Sequence, residues 1–562
     1  MADSRSELAT DRRSAIRRSF LITARGRTAL HPVRIFAIRL LAGVTLAVTL
    51  TAAAPPPDAP MVRLDNGQVK GVRSGAVVAF LGVPYAQPPV DGLRWRDPQP
   101  VRHWNGIRNA TQKSAACYQS PSRLFGPYTD EFLNQAPVSE DCLYLNVWTP
   151  GADTKGRPVL VYIHGGGFGS GSASMPIYDG AKLAGRGVVV ISINYRLGVF
   201  GFMAHPELTR ESGHGTSGNY GLLDMIAALK WVRSNVARLG GNPDDVTISG
   251  ESAGAAAVND LIVAPAAKGL FQRAVAVSGS GMGVNMRTLE KAEGYGVELA
   301  QRVGAGSIAD LRKLSPAQLQ EASYVPPPKS GKNASMPEIR FAPNDDGVVV
   351  KGDPGAGSTP IVSNVPLMTG FNADEGTVFG VPKSPADFEE FVKNRYGDFA
   401  DRFLALYPHS TTSEIDHSIK EISRDRYMAN LLVWARERVR SSGQAVYPYL
   451  YDHPYPAATG GAAFGAFHTA SVPYLFGNLG MGPRKFTDKD VTVSRQLQDY
   501  LIAFMQHGSP ATPSSPWARF SPDDSLVMGL GDTLGPRPAL SSPQRETTFQ
   551  AYLEAGGKLS LF

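Results

Sequence analysis

Apolar, β-branched runs recur along the chain at 158–163, 188–194, 246–249, 274–277, 365–370 and 445–451. Each is short and nearly continuous in apolar character. Strands buried on both faces read this way, whereas half-exposed strands alternate apolar with polar residues. Between two of the runs, 219–239 carries Leu222, Ile226, Leu229, Val232, Val236 and Leu239 at steps of three or four, which gives one apolar helix face. Strand–helix alternation predicts an α/β protein with a mostly parallel central sheet and helices on both faces. Residues 300–360, rich in Gly, Pro and Ser, predict a long insertion outside that sheet. No fixed-period repeat and no coiled-coil heptads are present.

The N-terminus departs from this pattern. The formal net charge of +6 is concentrated in an arginine-rich lead of about 40 residues, and the remainder is close to neutral. A general polyanion-binding surface is therefore not expected, and nothing argues for nucleic acid. Arg12-Arg13 and Arg17-Arg18 precede an apolar run at 40–50, and Ala52-Ala53-Ala54 offers a small-residue cleavage site before Pro55-Pro56-Pro57. Residues 1–54 are predicted to be an export signal to the periplasm or medium. Arg17-Arg18-Ser19-Phe20-Leu21 resembles a twin-arginine motif. The alternatives are an uncleaved N-terminal membrane anchor, for which the apolar run is short, and an upstream extension from a misassigned start. Residues 55–60 read as a Pro/Ala linker and 61–562 as one domain; 562 residues with 43% apolar content suit a large α/β enzyme with insertions. The two cysteines, Cys117 and Cys142, are either unrelated thiols or one disulfide, which would fit an exported chain. Two cysteines alone cannot build a structural zinc site.

Candidate chemistry lies at the ends of the predicted strands. Gly250-Glu251-Ser252-Ala253-Gly254 fits G-x-S-x-G between the run 246–249 and an alanine-rich helix start. That order is what a nucleophile elbow needs: a sharp turn projects the hydroxyl above the sheet edge, and glycines let neighbouring backbone pass close. A serine hydroxyl needs a base, and the base needs an orienting acid. Five histidines follow Ser252, namely His409, His417, His453, His468 and His507, and spacing does not choose among them. His468 sits in a small-residue loop after the run 445–451; Asp374 and Glu375 follow the run 365–370 and are both candidates for the acid. His164-Gly165-Gly166-Gly167-Phe168 follows 158–163 and offers backbone N–H groups to a developing oxyanion. These glycines do not satisfy the dinucleotide pattern G-x-G-x-x-G in any register.

Together these motifs resemble the type-B carboxylesterase/cholinesterase family of α/β-hydrolases, from Gly67 to about Leu553. The resemblance also rests on Phe80-Leu81-Gly82-Val83-Pro84-Tyr85-Ala86, Ser139-Glu140-Asp141-Cys142-Leu143-Tyr144-Leu145-Asn146-Val147-Trp148, Asn219-Tyr220-Gly221-Leu222-Leu223-Asp224, Gly240-Gly241-Asn242-Pro243, Asn372-Ala373-Asp374-Glu375-Gly376 and Phe467-His468. It implies Ser252, Glu375 and His468 as the catalytic triad, with Glu375 rather than Asp374 as the acid. It further implies an oxyanion hole from the N–H groups of Gly166, Gly167 and Ala253, and a Cys117–Cys142 disulfide. Glu251 and Ser278 are expected near the triad, and Trp231 on the acyl side of the pocket. The chain also departs from the family. Phe132 replaces the tryptophan of the cholinesterase branch, a poorer cation–π platform, so choline esters are not expected substrates. Ser471 stands where an acidic residue is usual, Met225 where Gln is usual, and Ala255 where a second Gly is usual.

The expected activity is hydrolysis of small to medium carboxylic esters through an acyl-enzyme, with no metal or organic cofactor, a small-molecule ester as substrate, and no nucleic-acid partner or stable membrane span. The same machinery serves amides, thioesters, carbamates and lactones. From another class, a non-catalytic binding module uses the same fold, but such proteins typically lack the nucleophile that this chain retains.

Overall fold

The computed structural model describes residues 59–151, 155–280, 286–326, 339–376 and 382–559. The predicted export signal, 1–54, lies outside the described residues.

All six apolar runs become strands of a single eleven-stranded sheet. In chain order its strands are β1 Val72–Ser74, β2 Val77–Pro84, β3 Tyr144–Thr149, β4 Arg157–Ile163, β5 Val189–Ile193, β6 Gly241–Glu251, β7 Arg273–Val277, β8 Leu367–Asn372, β9 Val446–Tyr451, β10 Leu526–Leu530 and β11 Gly535–Pro538. Their spatial order is β1-β2-β3-β5-β4-β6-β7-β8-β9-β10-β11. From β5 through β10 every neighbouring pair is parallel. Antiparallel pairing is confined to the two ends, where β1, β2 and β3 meet β5 and where β11 meets β10.

Every residue of β5, β8 and β9 is buried. Successive side chains of a strand point to opposite faces, so both faces of the central sheet are covered. The covering helices include α1 Tyr220–Asn235, α2 Ala253–Val263, α3 Thr412–Ser442, the short α4 Val472–Phe476, and α5 Asp488–His507. α2 packs on β6 and β7, α3 on β8 and β9, and α5 on β4 and β6. The stripe read over 219–239 is α-helical only to Asn235. Its last turn, Val236–Leu239, tightens to a 3-10 helix, and Gly240 at φ 86° closes it in the left-handed conformation. The insertion at 300–360 holds short helices Ile308–Lys313 and Pro316–Ser323 and a strand, Asn344–Asp345, that pairs with Arg287–Thr288 rather than with the main sheet. No helix among the described residues is long and apolar enough to cross a membrane.

Because the central strands are parallel, β4, β6, β8 and β9 all deliver their C-terminal ends to one edge. That edge is where open α/β sheets place their ligand sites.

Candidate active site

β6 ends at Glu251 and α2 begins at Ala253, so Ser252 alone makes the corner. Its backbone adopts φ 58° and ψ −123°, a region that costs a non-glycine residue about 1–3 kcal/mol. The corner is held by the Ser252 N–H, which donates to the Val277 carbonyl at 2.9 Å, and by the Ala256 N–H, which donates to the Ser252 carbonyl at 3.0 Å. Two glycines make room for it. A Cβ on Gly250 would lie 2.3 Å from the Gly254 carbonyl oxygen, and one on Gly254 would lie 2.1 Å from that of Ile163.

His468 arrives in the loop between β9 and α4. Its Nδ1 is hydrogen-bonded to Glu375 Oε2. The other oxygen of Glu375 accepts from Ser278 Oγ at 2.6 Å and from the Asn372 N–H at 2.7 Å, so the carboxylate is oriented from both sides. The neighbouring Asp374 does something else. Its Oδ2 accepts the Ala466 N–H at 2.8 Å and so braces the backbone of the histidine loop. Gly465 fits against it, since a Cβ there would lie 2.1 Å from that oxygen. Two further side chains brace the same loop: Asn372 Nδ2 donates to the Phe467 carbonyl at 2.7 Å, and the Tyr128 hydroxyl donates to the His468 carbonyl at 3.0 Å.

The second ring nitrogen, His468 Nε2, is buried and has no hydrogen-bond partner. It lies 3.3 Å from Glu251 Oε1. Burial alone would lower the pKa of His468. The anionic neighbours Glu375 and Glu251, with the hydrogen bond to Glu375, outweigh it and push the pKa up to about 9. Burial raises the pKa of Glu251, partly offset by His468 and by a hydrogen bond from Thr469.

The glycine loop leaves β4 beside this corner. Gly166 has φ 111° and Gly167 φ 62°, values that favour glycine. A Cβ on Gly165 would lie 2.5 Å from Glu251 Oε2 and 3.1 Å from Ser252 Cβ, so the loop backbone passes directly against Ser252. Among the described residues, the N–H groups of Gly166, Gly167 and Ala253 donate to no protein acceptor. His164 anchors the loop from beneath: it stacks on Tyr195 at 4.5 Å, and its Nδ1 lies 2.8 Å from the Gly165 carbonyl. Burial pushes its pKa down to about 4, so the ring is neutral near pH 7 and Nδ1–H is the donor.

Ser252, His468, Glu375, Glu251, Ser278 and the glycine loop thus converge. Trp231 does not join them: it is buried near the C-terminal end of α1, which leads into the opposite end of β6. Phe132 is also buried, edge-on to Tyr128, Tyr455 and Phe467 at 5.4–5.8 Å. The guanidinium near this aromatic cluster is the protein's own, Arg484, 4.8 Å from the Tyr455 ring centre and 2.9 Å from Glu131. Ser471 Oγ is buried and makes no hydrogen bond. Cys117 and Cys142 are bridged. Asn372, Asp374, Tyr128 and Thr469 are supports that sequence reasoning missed as such. Asn372 and Asp374 at least lie in the motif carrying Glu375, whereas Tyr128 has no local signal.

A serine on a strained strand–turn–helix corner, with a glutamate-bound histidine over the same sheet edge, defines an α/β-hydrolase. Residues 58–546 match the model of the Carboxylesterase family, and the chain belongs to that family. It is 34% identical to a fumonisin B1 esterase of Sphingopyxis macrogoltabida over 88% of this chain and 92% of the relative. It is 34% identical to the para-nitrobenzyl esterase of Bacillus subtilis over 86% and 98%, and 32% identical to the cholinesterase of Mus musculus over 84% and 83%. A solved PNB esterase superposes with a TM-score of 0.71 at 30% identity, covering 87% of this chain and all of the other. The protein is a carboxylic ester hydrolase.

Proposed function

We propose that Ser252, His468 and Glu375 act as a catalytic triad on small to medium carboxylic esters. The observation that carries this reading is the histidine ring, held through Nδ1 by Glu375 with no hydrogen bond at Nε2, at the sheet edge that bears the strained Ser252. Ser252 Oγ attacks the ester carbonyl while His468 Nε2 takes its proton. Glu375 keeps the ring oriented and stabilises the imidazolium, and the N–H groups of Gly166, Gly167 and Ala253 receive the oxyanion. The C–O bond to the alcohol breaks as His468 returns the proton to the leaving oxygen. Water, deprotonated by His468, then attacks the acyl-enzyme, which releases the acid and restores Ser252. Buried Phe132, with Arg484 already near its aromatic neighbours, supports uncharged alcohols over choline-like cations.

The test is hydrolysis of p-nitrophenyl acetate, butyrate and octanoate by residues 55–562 beside a Ser252→Ala variant. Turnover should fall roughly 10^4-fold or more in the variant, and the chain-length trend sizes the acyl pocket. Equal turnover by folded wild type and variant would refute the triad. Export of the enzyme through residues 1–54, leaving 61–562 as the catalytic domain, is part of the same reading, and N-terminal sequencing of the mature protein checks it. Met1 retained on cytoplasmic protein would overturn it.

A further inference from the structure

The residue after the candidate base is strained. Thr469 has φ 78°, a backbone region that β-branched residues almost never occupy and that glycine enters without steric cost. Its buried hydroxyl donates to Glu251 Oε1 at 2.6 Å, the same oxygen that lies 3.3 Å from His468 Nε2. The other oxygen of Glu251 abuts Gly165, where no side chain fits. The Glu251 carboxylate is therefore set between the glycine loop, Thr469 and His468. The remaining hydroxyls nearby do not replace this contact: Ser471 Oγ makes no hydrogen bond, and Tyr128 donates to the His468 carbonyl.

The groups that face Glu251 electrostatically are His468 and Glu375 on the catalytic loops and the hydroxyls of Tyr128, Tyr162, Tyr178, Tyr195 and Tyr449. Burial raises the pKa of each of these tyrosines, so they are neutral at working pH. No lysine or arginine pairs with Glu251 among the described residues. Its charge is thus sustained by His468 and by the hydroxyl of Thr469.

We propose that Thr469 is a positioning residue of the esterase site, whose hydroxyl holds Glu251 as a carboxylate turned toward His468, and that a strained threonine stands where glycine would fit because of this bond. The inference rests on the Ser252–His468–Glu375 reading. Its consequence runs through the placement of Glu251. Without the hydroxyl, Oε1 is no longer held beside His468 Nε2. His468 then loses the close approach of one of its two anionic neighbours, and its own proton affinity falls. The acid limb of kcat/KM, which reports the base of the free enzyme, moves to lower pH. The plateau also falls, because the imidazolium of the transition state loses its second carboxylate.

Full-length enzyme carrying Thr469→Gly, Thr469→Val, Thr469→Ser or Ser252→Ala tests this by pH–rate profiles and thermal melting. Both Thr469→Gly and Thr469→Val should shift the acid limb down by roughly 0.5–1 pH unit and lower the plateau roughly tenfold. Thr469→Gly should melt above Thr469→Val, since both lose the hydroxyl and only glycine removes the left-handed strain. Thr469→Ser should return limb and plateau toward wild type. A limb that stays in place in the Gly and Val variants, a loss of rate that merely follows melting temperature, or no rescue by Ser would overturn the proposal. An inactive Ser252→Ala beside such an unmoved limb sinks the role of Thr469 alone; an active Ser252→Ala sinks the triad on which it rests.

Discussion

At His468 two carboxylates meet one imidazole, and that fixes the sign of the pH behaviour. In the proposed triad the base must be neutral to take the Ser252 proton. With its pKa pushed up to about 9 by Glu375 and Glu251, kcat/KM should rise with pH through neutrality and level off only near pH 9. Glu375→Gln should lower that limb and reduce kcat roughly 10^3–10^4-fold, measured on p-nitrophenyl butyrate across pH 5–10. Stability carries the opposite trend. A histidine whose folded pKa exceeds its unfolded value of about 6.5 contributes stability that is full below that value and is lost as pH rises through the folded pKa near 9. The residues of this cluster were unequally legible. Ser252 was readable because an elbow needs glycines at 250 and 254. The choice between Asp374 and Glu375 was not readable from spacing: both follow the same strand, and only the turn after Asn372 sends one to the ring and the other to the Ala466 backbone. Thr469 was invisible, because a positive φ at a threonine has no sequence signature.

Among the elements, the central strands were legible because burial on both faces demands uninterrupted apolar runs. The end strands were not. β1 is exposed throughout, and β11 alternates partly and fully exposed residues with prolines, so neither has a pattern that separates it from loop. Nor was the length of β6 foreseen. The run 246–249 marks its centre, while the polar Asn242, Asp244 and Asp245 extend it to Gly241–Glu251, with a register irregularity between Gly241 and Val246. Such an irregularity re-aims a strand. The joint between β6 and α2 is the tightest of the site. Because the Gly254 position faces the Ile163 carbonyl at 2.1 Å from a notional Cβ, Gly254→Ala should push α2 away from β4. The cost should be roughly 2–3 kcal/mol, read as a lower midpoint in urea unfolding. Activity should fall further than stability alone explains, since the displaced helix start carries the Ala253 N–H. A variant with wild-type midpoint and rate would show that the corner tolerates a wider approach.

Over the whole molecule, the active edge is tied together by contacts between segments far apart in sequence. Arg484 joins Glu131 across 353 positions, and both side chains are almost fully buried. Tyr128, three residues before Glu131, reaches across 340 positions to the His468 carbonyl. Both contacts start from the loop that the Cys117–Cys142 bridge closes over a separation of 25 residues. The bridge therefore constrains the histidine loop indirectly, besides restricting the unfolded chain. Replacing both cysteines by serine should cost about 3 kcal/mol through the unfolded state. If the loop braces His468 as these contacts indicate, the double variant should also lose several-fold in kcat at temperatures well below its melting midpoint. Tyr128→Phe, with the bridge intact, should reproduce that loss of kcat with a smaller loss of stability. Unchanged kcat in both variants would mean that the histidine loop is held by Asn372, Asp374 and Glu375 alone, and that the bridge acts only on the unfolded state.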